Sequence, residues 1–100
     1  MERITNKQIE SKIKTLNLLT GVSVDAYKPY RDNNGHLIQN KGHYYMQGIN
    51  GGFRLEQMAE AGANDITPLG TKRELYNQVR AMIDALYSYK EINNLKLKEV

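Results

Sequence analysis

Apolar residues recur through the first twenty positions with the spacing of one helical face. Ile9, Ile13, Leu16 and Leu19 form the stripe, and Lys7, Glu10, Lys12 and Lys14 lie on the other faces. Thr5 followed three residues later by Gln8 has the form of a capping box. Ile4 stands where a hydrophobic staple onto Ile9 belongs, and Gly21 followed by Val22 supplies the stop. The pattern predicts an amphipathic helix from Thr5 to about Thr20.

The period then changes from helical to alternating. Val22, Val24 and Ala26 alternate with Ser23, Asp25 and Tyr27, which predicts a strand over Val22–Tyr30; Pro29 has no amide to donate and makes it an edge or ends it by residue 28. Arg31–Gly42 holds two turn signals around His36-Leu37-Ile38 and is expected to be a mobile excursion. The strongest hairpin signal follows: His43–Ile49, the pair Asn50-Gly51, then Gly52–Met58, since Asn-Gly suits a tight type I′ turn. A two-residue turn sets the register. Ile49, Gln47 and Tyr45 then oppose Gly52, Arg54 and Glu56 on one face, and Gly48, Met46 and Tyr44 oppose Phe53, Leu55 and Gln57 on the other. The second face, with Tyr44, Met46, Phe53 and Leu55, is the expected core face. The first is mostly polar and expected to be open.

Ala59–Gly70 sustains neither period and reads as a connecting loop. Thr71 with Glu74 opens a second capped helix along Leu75, Val79, Met82, Leu86 and Tyr89, widened by Tyr76 and Ile83. It is expected to run from Lys72 to about Asn93, with Asn93-Asn94 as its stop and residues 95–100 as a frayed tail. The order helix, strand, strand, strand, helix predicts a two-layer α+β domain over residues 1–94, an antiparallel meander with both helices on one face.

Composition narrows this picture rather than changing it. One hundred residues leave room for one core, and 40% hydrophobic with 25% charged residues is a composition that folds. No apolar run approaches the length of a membrane helix, and Met1-Glu2-Arg3-Ile4-Thr5 lacks a signal peptide's apolar stretch, so no membrane partner and a cytoplasmic location are expected. The absence of cysteine removes disulfides, thiol nucleophiles and thiolate metal sites. The net charge of +3 is uneven: residues 1–54 carry eight basic and four acidic side chains, and residues 55–94 four basic and six acidic. That asymmetry permits an acidic partner without requiring one.

Candidate chemistry is sparse. The two histidines, His36 and His43, match none of the common metal-ligand spacings, and no metal or other cofactor is expected. Asp25, Asp32, Glu56, Glu60 and Asp65 form no recognisable catalytic arrangement with them, so no catalytic residue is assigned and the chain is read as a non-enzyme. Gly48, Gly51 and Gly52 are followed by a strand and no Gly-Lys-Ser/Thr, as a hairpin rather than a phosphate loop requires. Lys72 and Arg73 open a helix and are a candidate anion site, set against the simpler reading of a capped helix with basic residues in water. Seven tyrosines beside one phenylalanine and no tryptophan favour contact surfaces with polar tips. Tyr27, Tyr30 and Tyr45 are the candidates for exposure; Tyr44, Tyr76 and Tyr87 are assigned to the core.

Three stretches carry a resemblance: Gly42-His43-Tyr44-Tyr45-Met46, Gly51-Gly52-Phe53-Arg54-Leu55-Glu56-Gln57-Met58 and Leu69-Gly70-Thr71-Lys72-Arg73-Glu74-Leu75-Tyr76. Over about residues 7–88 the chain resembles small uncharacterised proteins of tailed phages and prophages, from which its longer Asn33-Asn34-Gly35 excursion departs. The resemblance implies a phage or mobile-element accessory role and supplies no catalytic residue. Together these readings lead to the expectation of a small binding protein, monomer or homodimer, that engages and inhibits a host protein such as a defence nuclease. Its contact residues are expected to be Tyr45, Gln47, Arg54 and Glu56 on the open sheet face, with Ile49 beside them, and Arg31 and Lys41 in the excursion. The alternative is a nucleic-acid-binding accessory protein of phage replication or regulation, using Arg3, Lys7, Lys12, Lys14, Lys28, Arg31 and Arg54. A third class, a small-ligand sponge, requires an enclosed pocket.

Overall fold

The first helix, α1 (Asn6–Thr20), is built at both ends by the residues that announce it. The Thr5 hydroxyl accepts the Gln8 amide at 3.2 Å, and the Gln8 carboxamide accepts the Thr5 amide at 2.8 Å. Gly21 ends the helix at φ 77°, the left-handed conformation that costs a residue without a Cβ least. The computed structural model describes residues 3–98, with side chains as far as residue 92.

Two hairpins follow. The strands β1 (Tyr27–Arg31) and β2 (Leu37–Gln39) form a two-stranded sheet, and β3 (Tyr44–Ile49), β4 (Gly52–Met58) and β5 (Ala63–Asp65) form a three-stranded one, all antiparallel and in chain order. The second helix, α2, spans Lys72–Lys98. The α+β class and the placement of both helices on one face of the meander hold: α1 packs on β3, α2 on β4, and the helices on each other. Among the described residues, five strands in two sheets replace the expected three.

The β3–β4 register is the one the Asn-Gly turn demands, Tyr44 opposite Gln57 through to Ile49 opposite Gly52. Asn50 at φ 50° and Gly51 at φ 82° supply the two left-handed residues of the turn. Leu55 accordingly points into the core, 0% exposed, with Ile9, Ile13, Leu16, Leu75, Val79 and Ile83, while Tyr44, Met46 and Phe53 pack around it.

Four expectations need correction. Residues 22–26 form no ladder because polar side chains take up the backbone there: the Ser23 hydroxyl accepts the Asp25 amide, and Asn40 Nδ2 donates to the Asp25 carbonyl. The strand starts instead at Tyr27, and its register slips between Tyr27 and Arg31, the stretch that holds Pro29. The expected excursion over Arg31–Gly42 is a hairpin. Asp32 Oδ1 accepts the amides of Asn34 and His36, both at 2.9 Å, and Gly35 turns at φ 79°, which closes the loop locally. The Ala59–Gly70 loop contains β5, and its later part pairs with β4: Phe53 and Gly70 exchange both backbone hydrogen bonds, and Leu55 accepts the Ile66 amide. The helix α2 runs past Asn93-Asn94 to Lys98, since asparagine lowers helix propensity only modestly. Residues 99 and 100 of the expected tail lie outside the described residues.

Both helices start beside the Asn50-Gly51 end of the sheet, where Ile4 and Thr71 line one hollow. With 15 residues against 27, α1 ends about 18 Å before α2 does, at roughly 1.5 Å per residue. Tyr87, assigned to the core from its sequence position, is 51% exposed, although its neighbour Leu86 still packs against the core. Because Leu55 touches both helices' layer with no exposed surface, Leu55→Ala is expected to destabilise the fold by about 2–4 kcal/mol in chemical denaturation. A loss below about 1 kcal/mol would mean that Leu55 is not in the core.

Candidate functional site

The outer face of the three-stranded sheet carries rows set by the β3–β4 register: His43 beside Met58, Tyr45 opposite Glu56, Gln47 opposite Arg54. Asp65 extends the Glu56 row onto β5. The structure brings three of the expected contact residues into one network. The Tyr45 hydroxyl donates to Glu56 Oε1 at 2.7 Å, Arg54 Nε donates to Glu56 Oε2 at 2.7 Å, and the Arg54 guanidinium reaches Asp65 at 3.2 Å. Gln47 is exposed beside them and Ile49 half-buried.

This face is open only towards the turn. Glu56 is 6% exposed, Met58 8% and His43 7%, so its other end is covered. The Ser23 carbonyl accepts from His43 Nδ1 at 2.8 Å, which places the ring proton on that nitrogen, and the ring stacks on Tyr45 with centroids 6.3 Å apart. Gln39 Nε2 donates to the carbonyls of Ala59 and Gly62, tying the end of β2 to the turn between β4 and β5. The expectation of a wholly open face is thereby corrected: a sequence reading without the residue 22–40 segment in place leaves nothing to cover His43, Glu56 and Met58.

Charges inside the network shift one another. Burial, with the hydrogen bond to Glu56 and its charge next, pushes the Tyr45 hydroxyl up from 10.0 to about 12. Burial opposes ionisation of Glu56, but the hydrogen bonds from Tyr45 and Arg54 outweigh it and hold the carboxyl below its ordinary 4.5. The hydrogen bond to Glu56 likewise raises the Arg54 guanidinium. Such an arrangement fixes side chains, and a carboxylate whose ionised form is held by a phenol and a guanidinium is a weaker base than a free one.

The remaining predicted residues lie apart. Arg31 donates to the Gly35 carbonyl at 2.9 Å within the β1–β2 hairpin, and Lys41 stands 4.0 Å from Glu60 with both side chains largely in water. Lys72 sets its ammonium 5.3 Å from the Phe53 ring centroid, and Arg73 follows it at the start of α2. Of the amides at this helix start, those of Thr71 and Glu74 are taken by the capping box expected of these two residues. His36 sits 3.7 Å from Asp32 in the loop between β1 and β2, whereas His43 directly precedes β3. Among the described residues no group of three or more histidine, aspartate or glutamate side chains is placed to hold a metal ion, and no helix is long and apolar enough to cross a membrane.

Sequence reasoning missed Asn17. It lies 1% exposed on the buried stripe of α1, one residue after Leu16 and four after Ile13. Its Oδ1 accepts the Tyr44 amide at 2.8 Å and its Nδ2 donates to the Tyr44 carbonyl at 3.1 Å. A polar residue on an apolar helical stripe was the available signal. The β1–β2 hairpin was missed as an arm: Tyr27 is 44%, Tyr30 60% and Leu37 51% exposed, and the two strands pack chiefly on each other. No protein-family model, curated protein or solved structure matches this chain.

The network gives a pH profile with two limbs. Glu56, with its folded value depressed, adds stability above about pH 4.5 that is lost as pH falls through the lower folded value. Tyr45, with its folded value raised, adds stability below pH 10.0 that is lost as pH rises towards about 12. Thermal melts are expected to show both limbs, with Glu56→Gln flattening the acid one and Tyr45→Phe the alkaline one. An alkaline loss unchanged in Tyr45→Phe would contradict the assignment.

Proposed function

We propose that this chain is a non-enzymatic protein-binding module whose contact surface is the β1–β2 arm together with the adjoining Tyr45–Glu56–Arg54 face. The observation that carries the proposal is the arm itself. Tyr27, Tyr30 and Leu37 expose large apolar surface on a hairpin that packs little against the body, an arrangement that costs solubility unless something binds there. Beside it, the hydrogen-bonded Tyr45 and Arg54 are held in one geometry before any partner arrives, which lowers the entropy lost on association. Tyrosine and arginine are also among the residues most enriched where interfaces hold tightest.

The resemblance to small phage and prophage proteins supports a host protein as the partner, with inhibition by occlusion as the mode of action. A host defence nuclease is a partner of the expected kind. Blocking a surface needs area and shape, which 100 residues provide, and no constellation of reacting groups. The nucleic-acid alternative relied on Arg31 and Arg54 among its cations. Arg54 is engaged by Glu56 and Asp65, and Arg31 by the Gly35 carbonyl, so that reading is left with Arg3, Lys7, Lys12, Lys14 and Lys28.

The test is affinity capture from bacterial host lysates with the unchanged protein and a Tyr30→Ala, Leu37→Asp variant. The unchanged protein is expected to retain a stoichiometric protein partner. The variant is expected to keep its melting temperature while losing about 2 kcal/mol of affinity, near thirtyfold. Equal affinity in the folded variant, or capture on heparin at low salt with no protein partner from any host, would overturn the proposal.

A further inference from the structure

The backbone of β3 offers a second site, set by hydrogen-bond parity rather than by side chains. The Met58 amide donates to the His43 carbonyl, so His43 and Met58 are a bonded pair, and bonded pairs then recur at Tyr45–Glu56, Gln47–Arg54 and Ile49–Gly52. The alternate residues turn their backbone groups away from the partner strand. On β4 these are Phe53, Leu55 and Gln57; the groups of the first two are taken by Gly70, Ile66 and the Thr67 hydroxyl, and Gln57 pairs with Asn64 of β5. On β3 they are Tyr44, Met46 and Gly48. Only Tyr44 is served, by the carboxamide of Asn17, which gives and receives one hydrogen bond as a paired strand residue would. Among the described residues nothing pairs with the outward N–H and C=O of Met46 and Gly48.

Native edges are blunted by charge, proline, bulges or shortness. β5, at the other side of the sheet, is three residues long and carries Asp65. β3 is Tyr-Tyr-Met-Gln-Gly-Ile, six residues in unbroken register with none of those devices. Gly48 and Gln47 are exposed, and a hollow of about 410 Å³ adjoins Met46 between β3 and α1, with Ile13 and Val24 as its apolar wall and Glu10, Lys14 and Asp25 as its charged rim.

We infer that β3 binds an extended polypeptide segment as an added strand, through the two outward donor–acceptor pairs of Met46 and Gly48. Asn17 closes the site at one end and the Asn50-Gly51 turn closes it at the other. A strand laid there places alternate residues on the helix side. One lies opposite Met46, next to Ile13, and one lies opposite Gly48, where the missing side chain leaves room against the Phe53 ring, 3.6 Å from where a Cβ would stand. The preferred segment therefore has two apolar residues two positions apart with a polar residue between them, facing Gln47. A second copy of this chain is not the occupant, because α1 packs over β3 and a twofold pairing of two β3 edges would bring two such helices together at about one strand spacing, 4.8 Å. The inference stands on the β3 backbone and does not depend on the arm.

The probe is a displayed library of linear peptides of about 12 residues, panned on the full chain, with the enriched peptide then synthesised. Gly48→Pro removes the outward N–H and breaks no hydrogen bond within the protein, whereas Gly48→Ala keeps it and adds a methyl at ordinary contact distance from Phe53. Affinity is expected to fall at least about tenfold in Gly48→Pro and to stay within about threefold in Gly48→Ala and in the arm variant. N-methylation along the peptide is expected to alternate between loss and retention of binding, and this readout decides the matter if Gly48→Pro fails to fold. No enriched peptide, equal binding to folded Gly48→Pro, or no alternation along the peptide would overturn the inference.

Discussion

The two-residue turn at Asn50-Gly51 is the constraint on which the other features rest. With both residues at positive φ it locks Ile49 to Gly52, and every residue of β3 and β4 then has its face and its hydrogen-bonding direction assigned. Leu55 goes inward to Ile9, Leu75 and Val79; Glu56, its neighbour, goes outward to Tyr45 and Arg54. A slip of one residue would exchange them, burying a carboxylate among aliphatic side chains and exposing the central leucine. The energetic cost of that exchange gives the register its specificity.

Asn17 carries the register from the sheet into the first helix and the chain that follows it. Its side chain pairs with Tyr44, its carbonyl accepts the amides of Gly21 and Val22 at the helix end, and His43 beside Tyr44 holds the Ser23 carbonyl. One buried amide thus joins α1, residues 22–26 and β3 without an unsatisfied polar atom. The same contact ends the open stretch of the β3 edge, so a residue with a structural duty also delimits a surface where another chain can add.

What the sequence made legible was local. Both capping boxes, the glycine stop at Gly21 and the Asn-Gly turn use chemistry confined to a few neighbouring residues, and each appears where the pattern put it. The β1–β2 arm was hidden because Asp32 and Gly35 read as generic loop formers, and only the paired strands show them as one closed turn. Burial of His43, Glu56 and Met58 was hidden for a different reason: their cover comes from segments distant in the chain, which periodicity cannot place. Of the candidate contact residues, Tyr45, Arg54 and Glu56 do meet, because they share the face that the turn assigned.

Amide hydrogen exchange followed by NMR reads the register directly, because bonded and outward amides alternate along β3. The register predicts slow exchange at Tyr45, Gln47 and Ile49, bonded to β4, and at Tyr44, bonded to Asn17, with fast exchange at Met46 and Gly48. Protected Met46 and Gly48 amides beside rapidly exchanging Tyr45 and Gln47 would contradict it, and with it the core position of Leu55, the Tyr45–Glu56–Arg54 network and the open strand edge.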